Sequence, residues 1–474
     1  MNAMPGRLVW AFFLAGGLLA FSARADFDVY FMRHGETSWN RAKVLQGSIS
    51  YTELTPRGVK MAERTAEGLK RAGIVFDRIY ASPYRRAVHT AEILAGGREV
   101  AIEPRIREMC FGRYEGVRSV PGAYPDENLR LFFEDPERYR PQGPGAETLA
   151  QVGARLREFL DRELVPLDGK VTRVLCVAHT LVLKALLREL YGDDLPAKAK
   201  APFQRNCSSH VLRYTGGAFV LKDTGRIFYD PDEFGSARLP RTVAHRGAGD
   251  LTMPEASLPA FSNAVETVSD IVKLDLQRTK DGKIVLSHDP TLKRGMGWNV
   301  KIASVDYAEL RKRGRFLMKG VPTDERIVRL DEALRVLKPV PEFWLDFKHF
   351  DEAFAEKALK TIRAAGIDES RLMVATFSTN ALAYFQAQHP SIRRVAHVAG
   401  PEPVKKALKL KEEYGLFGVN MPVAKQATHP DDVAFLRKSG LWVSLWFVQS
   451  DKIAAAYPDA DAFVTDHVTR LRGK

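Results

Sequence analysis

The sequence predicts an α/β protein of two domains, each with a parallel sheet covered by helices. Its 474 residues exceed the ~100 to 200 residues of a usual domain. Short β-rich runs alternate with helical stretches after residue 26, which is typical of parallel sheets. Midway, the polar stretch 229–240 is marked by Gly and Pro and lacks apolar periodicity. We therefore expect one domain at residues 26–235 and a second at residues 240–474.

The first domain alternates strands and helices, which indicates an α/β sandwich whose ligand crevice lies at the carboxyl ends of its strands. Its predicted elements are strand Asp28–Met32, helix Thr55–Ala72, strand Arg78–Ser82, helix Tyr84–Leu94, strand Arg173–Ala178 and helix Leu181–Leu190.

The second domain supplies eight candidate strands, mostly separated by helical stretches, and this pattern predicts a (β/α)8 TIM barrel with its active site at the carboxyl ends of the strands. Asp281-Gly282 is a hairpin-type turn that leads into Ile284–Ser287, so we expect that piece to project from the barrel rim as a ribbon. The eight strands are Thr242–His245, Ile271–Gln277, Glu342–Phe347, Leu372–Phe377, Arg393–Val398, Leu416–Met421, Leu441–Val448 and Ala462–Thr465.

Composition and charge exclude several classes of protein. With 45% hydrophobic and 27% charged residues, the chain is not disordered, collagen-like or a coiled coil. The formal net charge of +13 is spread over both domains without a nucleic-acid-binding signature, so we expect no nucleic-acid partner. The three cysteines have no metal-ligand spacing and are expected to be core thiols.

The amino terminus has the pattern of a cleaved signal peptide. Arg7 precedes the apolar run 8–21, which ends at Ala23-Arg24-Ala25, a sequence that signal peptidase reads. The run is shorter than the ~20 residues of a membrane-spanning helix. The alternative to a cleaved signal peptide is an uncleaved membrane anchor. We therefore expect residues 1–25 to be removed and the protein to be periplasmic or secreted, with no stable membrane span.

The first chemical motif is Arg33-His34-Gly35, at the end of an apolar strand, with His179 ending a second strand in the same way. Phosphoryl transfer to an imidazole needs a nitrogen nucleophile, cations for the phosphate and an acid for the leaving oxygen. Further blocks follow in order, namely Ser82-Pro83-Tyr84-Arg85-Arg86-Ala87-Val88-His89-Thr90-Ala91, Ile106-Arg107-Glu108, Phe111-Gly112 and Glu115-Gly116.

With these blocks, residues 28–215 resemble the histidine phosphatase superfamily in its phosphoglycerate-mutase-like branch. The resemblance implies a phosphoglycerate-mutase-like α/β sandwich that needs no cofactor. It implies that His34 is the phosphorylated nucleophile and Glu108 the proton donor. It further implies a phosphate pocket formed by Arg33, Asn40, Arg86 and His179. It leaves mutase and phosphatase open, and export favours a phosphatase because water is always available outside the cytosol and the usual substrates of a mutase are not. Thr180 stands where the family often has Gly.

The second chemical motif is a pair of histidines, in His245-Arg246-Gly247 and Ser287-His288-Asp289. Two histidines that face one pocket can act as general base and general acid on a phosphodiester. Asp275 and Asp346, at strand ends, offer oxygen ligands to a hard divalent cation.

Residues Val243 to Leu471 resemble the glycerophosphodiester phosphodiesterase family. The matching blocks are His245-Arg246-Gly247, Pro254-Glu255, Leu274-Asp275, Thr279-Lys280-Asp281-Gly282, His288-Asp289-Pro290-Thr291-Leu292, Leu330-Asp331-Glu332-Ala333-Leu334, Trp446-Phe447-Val448 and Thr465-Asp466. The resemblance implies His245 and His288 as the acid/base pair, with Arg246 and Lys348 as phosphate contacts. The implied substrates are glycerophosphodiesters.

Lys273 departs from the family pattern, which usually has a metal-binding Glu there, and Asp346 stands where the family usually has Glu. An ammonium in place of a carboxylate changes the local charge by two units and weakens divalent binding. Three readings stay open. Lys273 stands in for the cation; or Mg²⁺ or Ca²⁺ binds weakly through Asp275, Asp346 and Glu255; or the barrel is an inactive binding module. The retained histidines favour activity.

The sequence thus predicts an exported bifunctional hydrolase of small-molecule phosphate esters. The barrel would cleave a glycerophosphodiester to an alcohol and a phosphomonoester, and the first domain would release phosphate through a phosphohistidine. The alternative keeps only the phosphatase active. A non-enzymatic reading is an envelope lipid- or polyanion-binding protein that uses a basic cluster, although this cluster is most simply a solvated helix end. The cluster is Arg311, Lys312, Arg313, Arg315 and Lys319.

Overall fold

The computed structural model describes residues 26–119, 124–136, 138–192, 204–234, 240–248, 252–423, 428–468 and 471. The expected signal peptide, residues 1–25, and residues 235–239 of the expected domain boundary lie outside the described residues. Within the described part of the chain, no helix is long and apolar enough to cross a membrane.

The first domain has a six-stranded sheet with helices packed against it. Its elements are β1 (Phe27–Arg33), α1 (Ser38–Ala42), α2 (Pro56–Arg71), β2 (Arg78–Ala81), α3 (Arg85–Ala95), β3 (Ala101–Ile102), α4 (Glu127–Glu134), α5 (Leu149–Phe159), β4 (Arg173–Ala178), α6 (Thr180–Tyr191), β5 (Ser209–Thr215) and β6 (Ala218–Arg226).

The strand order β3-β2-β4-β1-β5-β6 puts β1 and β4 at the centre, where they pair in parallel. Apolar side chains of both strands are buried in clusters on the two faces of the sheet, as is typical of parallel strands covered on both sides. Arg33 pairs with Ala178 in register, so the residues that follow them, His34 and His179, emerge side by side. The predicted strands and helices are confirmed within two residues at each end, whereas the β5–β6 hairpin was not predicted.

The second domain is a closed barrel of eight parallel strands, as predicted. The strands run in the order β7-β8-β12-β13-β14-β15-β16-β17, and β17 pairs with β7 to close the ring. β9 pairs antiparallel with β8 outside the ring, which confirms the expected ribbon. The elements are β7 (Arg241–Ala244), α7 (Leu258–Glu266), β8 (Ile271–Arg278), β9 (Ile284–Leu286), α8 (Lys293–Met296), α9 (Tyr307–Arg313), β10 (Leu317–Met318), β11 (Val321–Pro322), α10 (Leu330–Val336), β12 (Glu342–Phe347), α11 (Glu352–Ala364), β13 (Leu372–Thr376), α12 (Thr379–Gln388), β14 (Arg393–His397), α13 (Pro403–Tyr414), β15 (Gly418–Pro422), α14 (Pro430–Lys438), β16 (Trp442–Trp446), α15 (Asp451–Ala455) and β17 (Ala462–Thr465).

Two smaller expectations have mixed outcomes. The basic cluster begins in the last turn of α9, where Arg313 pairs with Glu309 one turn earlier, so it does lie at a helix end. Cys176 and Cys207 are buried as core thiols, but Cys110 is only half-buried.

The first domain rests on the barrel floor, by which we mean the amino-terminal ends of the barrel strands and the loops that lead into them. Glu342, at the start of β12, is fully buried and pairs with Arg241 and Arg393 of the barrel. Arg118 of the first domain lies 3.3 Å from the same carboxylate. Burial alone would raise the pKa of Glu342, but the three guanidinium charges outweigh it and lower the pKa.

We expect Glu342→Ala to lower the free energy of unfolding by about 3 to 5 kcal/mol, because it leaves buried guanidinium groups without their counter-charge. Urea unfolding followed by intrinsic fluorescence measures the loss. Glu412→Ala, which removes an exposed carboxylate on α13, is the control. Equal unfolding midpoints for the two variants would contradict the assignment of Glu342 as a buried ion-pair centre.

Two candidate active sites

The first site lies where β1 and β4 end. The rings of His34 and His179 have centroids 5.2 Å apart. Gly35 permits α2 to pack closely against the residues that follow β1. A Cβ at position 35 would lie 2.7 Å from the carbonyl oxygen of Gly58 in α2. The close approach of α2 therefore explains the glycine of the Arg-His-Gly triplet.

His34 presents a neutral nitrogen to the cavity. Its Nδ1 lies 2.7 Å from the carbonyl oxygen of Gly35, which can only accept, so Nδ1 carries the proton and Nε2 keeps its lone pair. Burial, followed by the nearby charges of Arg86 and Arg33, holds the pKa of His34 well below the ordinary 6.5. The imidazole is therefore neutral at neutral pH, with the free lone pair on Nε2 that a nitrogen nucleophile requires.

Two buried guanidinium groups supply positive charge beside this nitrogen. Burial lowers the pKa of Arg33 and of Arg86 to about 10, so both stay charged at neutral pH. Arg86 donates to the carbonyl oxygens of Gly47 and Ile49 and to the hydroxyl of Thr52, which are all neutral acceptors. A dianionic phosphate is the ligand that such a pocket attracts.

Glu108 lies in the same cavity with the properties of an acid. Its Oε1 accepts from the backbone N–H of Met109 at 2.9 Å, and Oε2 lies 3.5 Å from the N–H of Leu181 in the first turn of α6. Burial is the main influence and raises the pKa of Glu108 above 4.5. The carboxyl group therefore keeps its proton to a higher pH than an exposed glutamate does.

Asn206 and Ser82 support the site, although no role was predicted for either of them from the sequence. The amide of Asn206 donates to the backbone oxygen of His34 at 2.9 Å and to Oδ1 of Asn40 at 3.2 Å. The hydroxyl of Ser82 lies 2.7 Å from Nε2 of His179. Ser82 is the first residue of the sequence block 82–91, which could have indicated its role. Asn206 follows no periodic pattern.

The cavity above His34 has a volume of about 470 Å³. Its base is formed by His34, Arg33, Arg86 and Glu108. Thr180 also lines the cavity. The outer part combines cations with aromatic rings, namely Arg41, Lys43, Phe111, Tyr124, Phe132 and Phe133. A small phosphate ester fits this volume, with its phosphate at the base.

The second site lies at the carboxyl ends of β8 and β12, where Asp275 and Asp346 are in register. The ammonium of Lys273 is buried between their carboxylates, in contact with Asp275 and 2.8 Å from Asp346. Nζ of Lys348 lies 2.8 Å from each carboxylate. Burial alone would lower the pKa of Lys273, but the two carboxylates raise it, so the ammonium stays charged.

These residues do not fit a divalent cation. The space between Asp275 and Asp346 holds two ammonium groups, whose charges already balance those of the carboxylates. Glu255, the third expected ligand, is instead held by the guanidinium groups of Arg246 and Arg294. Nowhere in the described ranges do three or more His, Cys, Asp or Glu side chains form a group that could hold a metal.

Both barrel histidines are oriented by carboxylates. Nδ1 of His245 lies 2.9 Å from Asp466, and Nδ1 of His288 lies 2.7 Å from Asp289. Since carboxylates accept, each Nδ1 donates and each Nε2 is left for proton transfer. Burial is the main cause of a lowered pKa for His288, so this ring is neutral at physiological pH.

A chain of ion pairs connects His288 to the lysine centre. Arg246 pairs with Glu255 and lies 3.7 Å from Asp275, while Arg294 bridges Glu255 and Asp289. The backbone of Arg246 is left-handed, with φ of 52°. Of the residues predicted for this site, His245 and Arg246 line one cavity, and Lys348 belongs to the lysine centre to which His288 is connected.

Asp466 and His397 are barrel-site residues for which the sequence predicted no role. Asp466 belongs to the Thr465-Asp466 block, but nothing in that block indicated its pairing with His245. His397 ends β14, and its Nε2 lies 3.9 Å from Asp346. Burial lowers the pKa of His397 to about 4, which leaves it neutral beside the lysine centre.

Comparisons with known proteins identify both halves. Residues 29–226 match the family model of the histidine phosphatase superfamily (branch 1), and residues 245–470 match that of the glycerophosphoryl diester phosphodiesterase family. The curated protein named "Probable phosphoglycerate mutase GpmB" from Proteus mirabilis is 36% identical over 198 residues, which are 41% of this chain and 87% of that protein. Its counterpart from Erwinia tasmaniensis is 35% identical, over 38% of this chain and 82% of that protein. The structure of an Oleispira antarctica phosphodiesterase in complex with the product sn-glycerol-3-phosphate is 22% identical with a TM-score of 0.43, and the match covers 49% of this chain and 96% of that one.

We expect calcium chloride to leave the melting temperature of the wild-type protein unchanged, because ammonium groups fill the space between Asp275 and Asp346. Lys273→Glu places a third carboxylate there, so calcium should raise the melting temperature of this variant. Lys293→Glu, at an exposed lysine of α8, is the control for added negative charge. A calcium-dependent rise in the wild type would contradict the expectation.

Proposed function

Because the chain belongs to the histidine phosphatase superfamily through residues 29–226 and carries a glycerophosphoryl diester phosphodiesterase domain at residues 245–470, we propose a two-step path for it. The two domains make the chain a bifunctional phosphoesterase. In the proposed path, the barrel cleaves a glycerophosphodiester to an alcohol and a phosphomonoester. The first domain then hydrolyses the phosphomonoester and releases inorganic phosphate.

The observation that carries the phosphatase step is the neutral Nε2 of His34 beside two buried guanidinium groups. This nitrogen attacks phosphorus, the bond to the ester oxygen breaks, and Glu108 gives that oxygen its proton. The alcohol leaves and a phosphohistidine remains, held by Arg33 and Arg86. Water then attacks the phosphorus and yields its proton to the Glu108 carboxylate, so phosphate leaves and both groups are restored.

In the barrel, the charges of Lys273 and Lys348 are proposed to take the part that the family gives to a divalent cation. They lie at the strand ends, where negative charge develops on the phosphoryl oxygens during attack. One histidine Nε2, of His245 or His288, takes the proton of the attacking hydroxyl, and the other protonates the leaving alcohol. This assignment gives diester cleavage that does not depend on a metal.

Export is the proposed setting for this path. It rests on the apolar run 8–21 and the small-x-small sequence at residues 23–25, which are read as a cleaved signal peptide. In the periplasm or outside the cell, glycerophosphodiesters are a source of phosphate and glycerol. The proposed benefit of joining the two domains is the complete release of that phosphate.

A second candidate function keeps only the phosphatase active and makes the barrel a binding module. The observation that favours it is the mutual neutralisation of two carboxylates by two lysines, which leaves the centre with little net charge to offer a substrate. Assays of diester cleavage and of phosphate release separate the two candidate functions.

We expect purified mature protein to convert glycerophosphocholine to inorganic phosphate, with or without EDTA. His288→Ala should slow diester consumption by about 10²- to 10⁴-fold, the usual effect of losing a general acid or base. His34→Ala should slow phosphate release by at least about 10³-fold, because the nucleophile is gone, and the phosphomonoester should accumulate. Separate assays of choline, glycerol phosphate and phosphate follow each step.

His389→Ala, directly after α12, and His89→Ala, in α3, are the matched controls, because neither residue lies at a site. Hydrolysis of glycerol phosphate without diester cleavage, under every metal condition, would leave the binding-module function standing. Loss of diester cleavage on EDTA treatment would contradict the metal-independent assignment.

We expect the phosphatase kcat/KM to be highest on the acid side of neutrality. The lowered pKa of His34 keeps the nucleophile neutral below pH 6.5, so acid inhibition begins lower than for an ordinary histidine. The raised pKa of Glu108 keeps the donor protonated above 4.5, and activity should fall as pH rises through that pKa. A pH–rate profile on glycerol phosphate measures both limbs.

Glu108→Gln should lower kcat by about 10²- to 10⁴-fold and abolish the alkaline limb, since an amide donates no proton. Glu92→Gln, at an exposed position of α3, is the control. If Glu108→Gln kept the wild-type alkaline limb, the proton donor would be another group.

A further inference from the structure

One wall of the phosphatase cavity rests on the barrel floor. Trp39, in α1, lines that cavity and is fully buried. Its indole Nε1 donates to the carbonyl oxygen of Pro339 in the barrel at 2.7 Å. The guanidinium carbon of Arg371 lies 4.8 Å from the centre of the indole ring, at cation–π distance. α1 therefore contacts the barrel through its largest side chain.

Arg371 is itself held rigidly by the floor. It is buried, and it donates to the carbonyl oxygens of Pro341 at 3.0 Å and Lys338 at 3.2 Å, as well as to that of Val340. Burial lowers its pKa to about 10, so it remains a cation. A cation fixed by three carbonyl groups gives the ring of Trp39 a defined position.

The strand-like segment that follows α1 is held in the same way. Val44 bridges Arg118, and the N–H of Arg118 donates to the hydroxyl of Ser370 in the barrel at 2.8 Å. Arg41, at the end of α1, lies 3.4 Å from Asp270 of the floor. Residues 39–45 thus contact the barrel directly through Trp39 and Arg41, and indirectly through Arg118 at their far end.

Hydrogen bonds connect this segment and the residues just after it to His34 and Arg86. Asn40 accepts from Asn206, whose amide also donates to the backbone oxygen of His34. Two residues beyond the held segment, the carbonyl oxygen of Gly47 accepts from Arg86 at 2.9 Å. The wall also carries Arg41 and Lys43 into the outer part of the cavity.

We propose that the barrel is a structural part of the phosphatase site, with Arg371 as a positioning residue that acts through Trp39. The proposal rests on the proposed phosphatase function. The barrel floor fixes residues 39–45, which form the wall that binds the part of the substrate beyond the phosphate. His34 and Glu108 lie outside this segment. Loss of the floor contact should therefore act mainly on KM.

The test uses the full-length chain with Arg371→Ala, Arg371→Lys and Trp39→Phe. With glycerol phosphate, Arg371→Ala should raise KM about tenfold and change kcat less than about threefold, since a misplaced wall weakens binding before chemistry. Arg371→Lys keeps a cation over the indole and should recover part of the loss. Trp39→Phe removes the hydrogen bond to Pro339 from the other side of the interface and should also raise KM.

Two controls separate positioning from unfolding. Diester cleavage reports whether the barrel is intact, and it should stay within about twofold of the wild type in all three variants. Arg394→Ala, in β14, removes an arginine that bonds barrel carbonyl groups such as that of Tyr414, and should leave the phosphatase KM unchanged. If Arg371→Ala also loses diester cleavage, Trp39→Phe alone decides, because Trp39 lies outside the barrel.

Wild-type KM values in Arg371→Ala and Trp39→Phe would overturn the proposal. Titration calorimetry with glycerol phosphate measures binding without turnover and distinguishes the two possible failures. If the wild type binds glycerol phosphate but does not hydrolyse it, the proposed phosphatase function fails, and the positioning role is still decided by whether Trp39→Phe weakens that binding. Unchanged binding in the variant would overturn the positioning role in that case as well.

Discussion

Parallel pairing of strands is the constraint on which both sites depend. Parallel strands end at the same edge of a sheet, so β1 and β4 deliver His34 and His179 to one crevice, and β8 and β12 deliver Asp275 and Asp346 to one barrel mouth. The apolar strand interiors provide the burial that shifts the pKa values of these groups. One topological rule thereby gives a neutral nucleophile in the first domain and a charged lysine centre in the second.

Burial disfavours the charged form of both His34 and Lys273, and the neighbouring charges decide the outcome. His34 is buried beside cations, so its pKa falls and the ring stays neutral. Lys273 is buried between carboxylates, so its pKa rises and it remains a cation. The same physical balance therefore makes one site suited to covalent catalysis and the other to electrostatic stabilisation of a phosphoryl group.

The packing of the domains separates the two mouths. Glu342 at the start of β12 contacts Arg118 of the first domain, while Asp346 on the same strand faces the diesterase mouth. At ~3.3 Å per residue, these two positions are roughly 13 Å apart along β12. The barrel mouth therefore opens away from the first domain, so in the proposed path the phosphomonoester would reach His34 through solvent. The proposed benefit of the fusion then lies in a shared location and in the support of the phosphatase wall.

The sequence by itself determined the two domains, all eight barrel strands and the placement of histidines near strand ends, because periodicity and strand-end position are local properties of the chain. It also singled out Lys273, because the resemblance to the diesterase family implies a metal-binding Glu at that position, and it left the metal site open. Only the tertiary structure decided the contacts between residues far apart in the chain. The pairing of Asp466 with His245, the capture of Glu255 by Arg246 and Arg294, and the stacking of Arg371 on Trp39 belong to this class. No local pattern encodes them, because each depends on how separately formed elements pack against one another in space.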